Sequence, residues 1–388
     1  MIRNKIKDYL SKHRCTLLGI GPMSVNCVDA TVELSNEYTI PLMLIASRRQ
    51  IDSEQFNGGY VNNWTTSEFA NYVRNKDKNT NIILCRDHGG PWQNSEEKKK
   101  NMSLDLAMKS AKESYKKDID AGFEIIHIDP SIDIHGTPSQ NDLLERLFEL
   151  YEYCWSYALN KGKEIIFEVG TEEQSGSTNT PEELDFVLSS IKKFCDINKF
   201  PLPTFVVIQT GTRVMETRNV GSFDSPLRVL DEISSEIQVP KMIEICKKHN
   251  IFMKEHNADY LSDVALSWHP RLGIHAANVA PEFGVTETKA FLKIMEDNDL
   301  KSFADNFLEL AYNSKKWGKW MLPNSTASDR EKSIISGHYI FSTPECIELK
   351  KEVSQRLKSK RIELDDYLRN EVKKSILRYL HNFRLAGV

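Results

Sequence analysis

Short apolar runs rich in β-branched residues recur along the chain. They are separated by charged segments whose apolar positions repeat every three to four residues. Eight such runs can be counted: Thr16–Pro22, Pro41–Ser47, the run opening at Ile82, Glu124–Ser131, Glu164–Thr171, Thr204–Gly211, Ile251–Asp259 and Leu272–Pro281. Helical patterns fill the gaps. Asp105–Ala121 stops at Gly122, and Gln140–Asn160 stops before Gly162. Thr180 is placed as an N-cap with Pro181 at the first helical position and Glu183 completing a capping box. Pro240–His249 and Thr286–Asn298 follow. Strand–helix alternation implies parallel strands, because parallel neighbours need a crossover. Eight units over residues 1–300 predict the α/β class and a (β/α)8 TIM barrel. An open doubly wound sheet is the alternative, but GIGPMSVN after the first run lacks the G-x-G-x-x-G spacing of a dinucleotide site.

From about residue 300 the strand pattern fades. Leu300–Trp317, Glu345–Lys358 and Asp365–Asn382 read as helices, so residues 301–388 are expected to form a helical extension packed on the barrel. Leu368, Val372, Ile376, Leu377 and Leu380 make one amphipathic stripe, for barrel packing or an oligomer contact. Trp317–Trp320 and Asn324–Arg330 read as loop.

Composition narrows the class without naming a function. Across 388 residues, 27% are charged and the net charge is −4, which gives no electrostatic ground for nucleic acid or an acidic membrane. No apolar run reaches the ~18 residues of a membrane span. The opening MIRNKIKDYLSKHR is charged throughout and lacks a signal peptide's apolar centre. Seven cysteines, scattered and without a C-x-x-C pair, fit a reduced cytoplasmic protein.

Chemistry-bearing residues collect at the C-terminal ends of the predicted strands, where barrel enzymes keep their sites. The third run, IILCRDHGGPW, ends in Asp87 and His88 before a Gly-Gly-Pro break. Adjacent residues start on opposite faces of a strand, so both reach one site only if the strand ends or bulges there. Ser47, Arg48 and Arg49 end the second strand; His127 and Asp129 lie on the fourth. Glu168 and Glu172 lie at the fifth, Gln209 and Thr210 at the sixth, Glu255 and His256 at the seventh. His275, Asn278 and Glu282 fall on the eighth. Two chemistries are open to this ring. His88, Glu172 and His256 are ligand types for zinc or a similar divalent ion. Asp87, Asp129 and Glu168 are candidate acids or bases if burial or a neighbour raises their pKa. Ser47, Arg48, Gln209, Thr210, Asn278 and Glu282 are candidate substrate contacts, with the arginines suited to phosphate.

The ordered motifs FNGGY (Phe56–Tyr60), RDHGGPW (Arg86–Trp92), AGFEIIHIDPS (Ala121–Ser131), EVGTEE (Glu168–Glu173), VVIQTGT (Val206–Thr212) and EHNADY (Glu255–Tyr260) resemble the class II tagatose-bisphosphate aldolase family. The likeness is greatest to its Z-type subunit, often described as the non-catalytic partner of a Y-type aldolase. The resemblance implies a barrel related to zinc-dependent aldolases of ketose phosphates. It implies proton transfer for Asp87 and metal ligation for His88 and His256. Gln209 stands where the catalytic branch has a further zinc-binding histidine, and Asn257-Ala258-Asp259 replaces its glycine-rich phosphate loop. Three functions follow from the resemblance. One is a metal-dependent aldolase of a ketose phosphate such as tagatose 1,6-bisphosphate. The second is an epimerase using retro-aldol chemistry. The third is an accessory subunit of a partner aldolase, in a homo- or hetero-oligomer.

Overall fold

A computed structural model describes residues 2–171, 180–225 and 233–386. Eight parallel strands close into a barrel. In chain order they are β1 (Leu17–Ile20), β2 (Leu42–Ser47), β3 (Ile82–Gly89), β4 (Ile125–Ile128), β5 (Ile166–Val169), β6 (Phe205–Ile208), β7 (Phe252–Glu255) and β8 (Ala276–Val279). Each pairs with its sequence neighbours, and β8 closes the ring on β1 through Leu17↔Ala276 to Ile20↔Val279. All eight predicted runs contain strands; six are trimmed to four residues, while β2 keeps six and β3 eight.

The strands are apolar because both faces are covered: outward residues meet helices and inward residues fill the barrel. Polar side chains on the inward face therefore stand out. The contacts of Asp87 with Asn278 and of Lys254 with Glu168 join strands that are not neighbours, so these side chains cross the interior. Arg86, between Cys85 and Asp87, points outward. It pairs with buried Asp118 of the helix Leu104–Ala121 at 2.5 Å and donates to the carbonyls of Ala46 and Ile51.

Two boundaries differ from expectation. The helix before β7 runs Ser235–Lys248, with Pro240 inside it, so the proline does not start the helix. The missing N–H falls in the second turn, where one backbone bond is forgone. The eighth run begins with the end of the helix Asp263–Leu272 and its left-handed Gly273 cap, so β8 starts only at Ala276. His275 therefore lies at the N-terminal end of β8, opposite the barrel mouth, where its Nδ1 accepts the Met253 N–H.

Beyond the barrel, the helices Pro281–Glu296, Lys301–Asn313, Pro344–Lys358 and the start of Leu364–Asn382 share a second apolar cluster around Phe291, Phe307, Leu349 and Leu368. Further along the last helix, Val372, Ile376 and Leu380 join the barrel's own core. The amphipathic stripe is thus buried within the chain, with Leu377 at its edge. Among the described residues, no helix is long and apolar enough to cross a membrane.

Candidate active site

The Asp87-His88 pair reaches one site because β3 bulges. Register with β4 shifts between Arg86 and Gly89, and His88 takes φ +44. The extra residue turns His88 back toward the interior face that Asp87 already occupies. Gly90 makes the break possible: with φ +149, a Cβ there would sit 2.1 Å from the Asp129 carbonyl.

Three histidines then meet over the barrel. The ring centroids of His88, His127 and His256 are 5.1–5.5 Å apart. Glu168 Oε1 lies 2.9 Å from His256 Nε2, and its other oxygen accepts Lys254 Nζ at 2.6 Å. Asp87 Oδ1 is 3.8 Å from His256 Nε2 and 3.7 Å from His127 Nδ1, and accepts Asn278 Nδ2 at 3.3 Å. The His88 main-chain N–H donates to His127 Nδ1 at 3.1 Å, which leaves the buried His127 Nε2 without a partner. Asp129 holds His88 from behind: its Oδ2 is 2.6 Å from Nδ1 and also accepts Gln93 Nε2. This turns His88 Nε2 toward the mouth, the orientation a carboxylate commonly imposes on a metal-binding histidine.

The electrostatics depart from expectation. Burial alone would raise the carboxyls, but their neighbours outweigh it. Asp87 is held far below the usual range by His88, His127 and His256. Asp129 is held at about 2 by His88 and His127, and Glu168 at about 2 by Lys254, His127 and His256. None of the three is raised, so all are ionised at neutral pH. Burial likewise disfavours charge on His88, yet Asp87 and Asp129 bring its pKa up to about 9. In His256 burial prevails and the pKa is lowered.

A cavity of about 450 Å3 opens above this cluster, within the range of small-ligand sites. Of the expected substrate contacts, Ser47 and Asn278 line it. Ser47 Oγ donates to Gln50, and the buried Asn278 Oδ1 has no partner. Arg48 is not brought there. It is buried beneath the β2 turn, paired with Asp52 at 3.1 Å and Glu97 at 2.7 Å and donating to the Gly90 carbonyl, while Arg49 takes the cavity wall. Thr210 faces away, donating to Glu255, which is in turn bonded to His269 behind the sheet. Glu282 is captured by Tyr379, Arg378 and the Tyr260 N–H. Gln209 is buried just after β6 and does not line the cavity. Glu172 lies outside the described residues.

Two central residues take no role from the sequence: His127 stands there only as a polar neighbour of Asp129, and Lys254 goes unnoticed. His127 shares the pleat face of Asp129, two residues away, and that spacing was its signal. Lys254 is the same distance from His256 and equally inward. A lysine inside an apolar strand was the visible sign, since a fully buried lysine needs a partner.

Similar folds occur in solved structures. A probable tagatose 6-phosphate kinase from Sinorhizobium meliloti matches with TM-score 0.73 and 16% identity over 95% of this chain and all of that one. The fructuronate-tagaturonate epimerase UxaE from Cohnella laeviribosi matches at 0.60 and 10%, over 95% and 81%. A fructose-bisphosphate aldolase from Campylobacter jejuni matches at 0.57 and 12%, over 98% and 94%. At such identities they establish the shared barrel. No curated protein matches the sequence. The sequence itself carries the family signature in its first half: residues 4–186, through β5 and into the following helix, match the GatZ/KbaZ-like family, described as D-tagatose-1,6-bisphosphate aldolase subunit GatZ/KbaZ-like.

Proposed function

We propose that this chain is a metal-dependent enzyme of aldol and retro-aldol chemistry on a ketose phosphate. The observation that carries the reading is the gathering of buried His127 and His256 and half-buried His88 with two ionised carboxylates, Asp87 and Glu168, at one barrel mouth. Such a cluster is costly to bury unless it binds something.

The donors fit a divalent cation. Ligand atoms of Asp87, His127, Glu168 and His256 all lie within 4.8 Å of one another. Several are 2.9–3.8 Å apart, near the ~3–3.5 Å between neighbouring ligands of an ion held at about 2.1 Å. Mixed imidazole and carboxylate donors suit zinc or a similar transition ion. His256 Nε2 and Glu168, 2.9 Å apart, would hold the ion together with His88, whose ring lies 5.1 Å from that of His256, and Asp87 is left for proton transfer. His127 Nδ1 is already used by the His88 N–H.

When bound, a divalent ion polarises a carbonyl and stabilises an enediolate. The chain's own residues do the rest. Asp87 is ionised and faces the cavity, so in the cleavage direction it takes the proton of the hydroxyl on the carbon β to the carbonyl, whose oxygen becomes the aldehyde oxygen. The bond between the α and β carbons then breaks; its electron pair forms the carbon–carbon double bond of the enolate fragment, and the former carbonyl π pair passes to that fragment's oxygen. In the synthetic direction the same carboxyl returns the proton. Asn278 orients Asp87, and Lys254 keeps Glu168 charged. An epimerase would use the same groups, re-adding the fragments on the opposite face.

Gln209, at the position of a family histidine, favours a second reading as a non-catalytic partner of another aldolase. Incubation of zinc-reconstituted protein with a panel of ketose phosphates decides between them. Aldehyde release or epimer formation that drops at least a hundredfold in Asp87→Asn supports the enzyme. Activity only upon adding a partner aldolase, and unchanged by that substitution, supports the accessory role.

A further inference from the structure

In many barrels of this type, a phosphate sits on the N-terminus of a helix beside the last two strands. Here that position is filled by the chain itself. Asp259 Oδ1 accepts the N–H groups of Ala280 and Glu282 at the start of the helix Pro281–Glu296. Glu282 adds a second carboxyl beside it. Burial, then this neighbouring carboxyl, raises Asp259 to about 8. No anion can use those N–H groups while Asp259 holds them.

The opposite wall of the same cavity has the reverse character. Arg49 comes from the β2 turn, and Lys315, Lys316 and Lys319 come from the segment after the helix Lys301–Asn313. Among the described residues, none of these four has a carboxylate ion-pair partner. The segment is held in place. The Glu216 N–H donates to the Trp320 carbonyl at 2.8 Å, and Trp320 Nε1 donates to Tyr339 OH. Lys319 Nζ stands 4.4 Å from the Trp320 ring centre, and Lys315 Nζ 4.3 Å from that of Tyr312. Lys319 is exposed and lines the cavity. Partial desolvation and the charges of Arg49, Lys316 and Lys98 lower its pKa. Like charges so gathered repel one another, and an anion between them removes the penalty. Arg49 also acts to lower the His88 pKa, so its charge is within electrostatic reach of the histidine cluster.

We propose that Arg49, Lys315, Lys316 and Lys319 form the anion subsite of this cavity and take the phosphate monoester of a sugar phosphate. Its carbonyl end is thereby directed at Asp87 and His88. A dianionic phosphoryl group matches an excess of point charges, whereas a single carboxylate is matched by one forked arginine. The proposal rests on the enzymatic reading for the carbonyl end only; the anion end stands on the cation cluster.

The test uses full-length protein stripped of metal with a chelator, so that metal binding does not enter. Inorganic phosphate is titrated calorimetrically at low ionic strength, with acetate as the carboxylate probe. Saturable phosphate binding is expected, weakened about tenfold by Arg49→Gln or Lys319→Gln and unaffected by Lys192→Gln on the outer helix Pro181–Asn198. Acetate should bind at least tenfold more weakly. If Arg49→Gln loses the wild-type circular dichroism, the double variant Lys315→Gln/Lys319→Gln replaces it. Absence of saturable binding, equal binding in the variants, or acetate as tight as phosphate overturns the subsite. Phosphate binding by the stripped protein, together with failure to retain zinc after reconstitution, would leave the subsite standing and remove the metal centre instead.

Discussion

Lys254→Met tests the electrostatic core of the site. Lys254 and Glu168 are each about 1% exposed and lie 2.6 Å apart inside the barrel. Burial is paid for only while both charges remain. Removing the ammonium strands Glu168 with a single hydrogen-bonding neighbour, His256, at 2.9 Å. Breaking such a pair from one side costs about 3–5 kcal/mol. Unfolding entropy of roughly 2.1 cal/mol/K per residue gives about 0.8 kcal/mol/K for a chain of 388 residues. The melting temperature of metal-free protein should therefore fall by about 4–6 °C. Glu168 should titrate above its present value of about 2, since Lys254 is the largest charge holding it down. The assays are thermal unfolding for the melting temperature and equilibrium urea unfolding for the coupling, on wild type, Lys254→Met, Glu168→Gln and the double variant. The double variant should recover part of the loss, with a coupling of about 2 kcal/mol or more. Strict additivity, or a Lys254→Met shift below about 1 °C, would refute the reasoning.

Three other outcomes follow from the same contacts. Asp129→Asn should keep the fold but release His88, weakening divalent-ion affinity about 10–100-fold by titration; unchanged affinity would remove its orienting role. Gly90→Ala meets the Asp129 carbonyl at 2.1 Å with φ +149, so it should cost about 3 kcal/mol or more in urea unfolding, and a cost under about 1 kcal/mol would contradict the strained turn. His338 and His275 are held neutral, burial lowering them to about 3 and about 4. The unfolded chain takes up these protons first, so their contribution is complete above about pH 6.5 and is lost as pH falls toward 4. His88, raised to about 9, works in the opposite sense and loses its contribution between about pH 6.5 and 9. His338→Leu should flatten the acid-side slope by up to about 1.4 kcal/mol per pH unit, and an unchanged slope in urea melts at several pH values would count against a neutral buried imidazole.

The barrel was legible because a β-branched run between helical patterns has one reading, a strand buried on both faces. The Asp87-His88 site was legible for the same reason, and the Gly-Gly break announced the bulge that lets both residues face inward. Arg48 and Arg49 could not be separated in advance: a turn, not a strand pleat, decides which of them meets Asp52 and which the cavity. Glu282 was lost to Tyr379 and Arg378, some ninety residues later in the chain, a contact that no local pattern encodes. His127 and Lys254 were within reach of period-two reasoning. Each sits two residues before a residue already chosen for the site, and so on the same face.

The central claim is that His88, His256 and Glu168 hold a divalent cation. Elemental analysis after chelation, reconstitution with zinc and desalting measures this directly. The account predicts close to one equivalent per chain in the wild type, with less than about a fifth retained by His88→Ala/His256→Ala at unchanged circular dichroism. Wild-type protein that retains under about a tenth of an equivalent, or a double variant that retains as much as wild type, would contradict it.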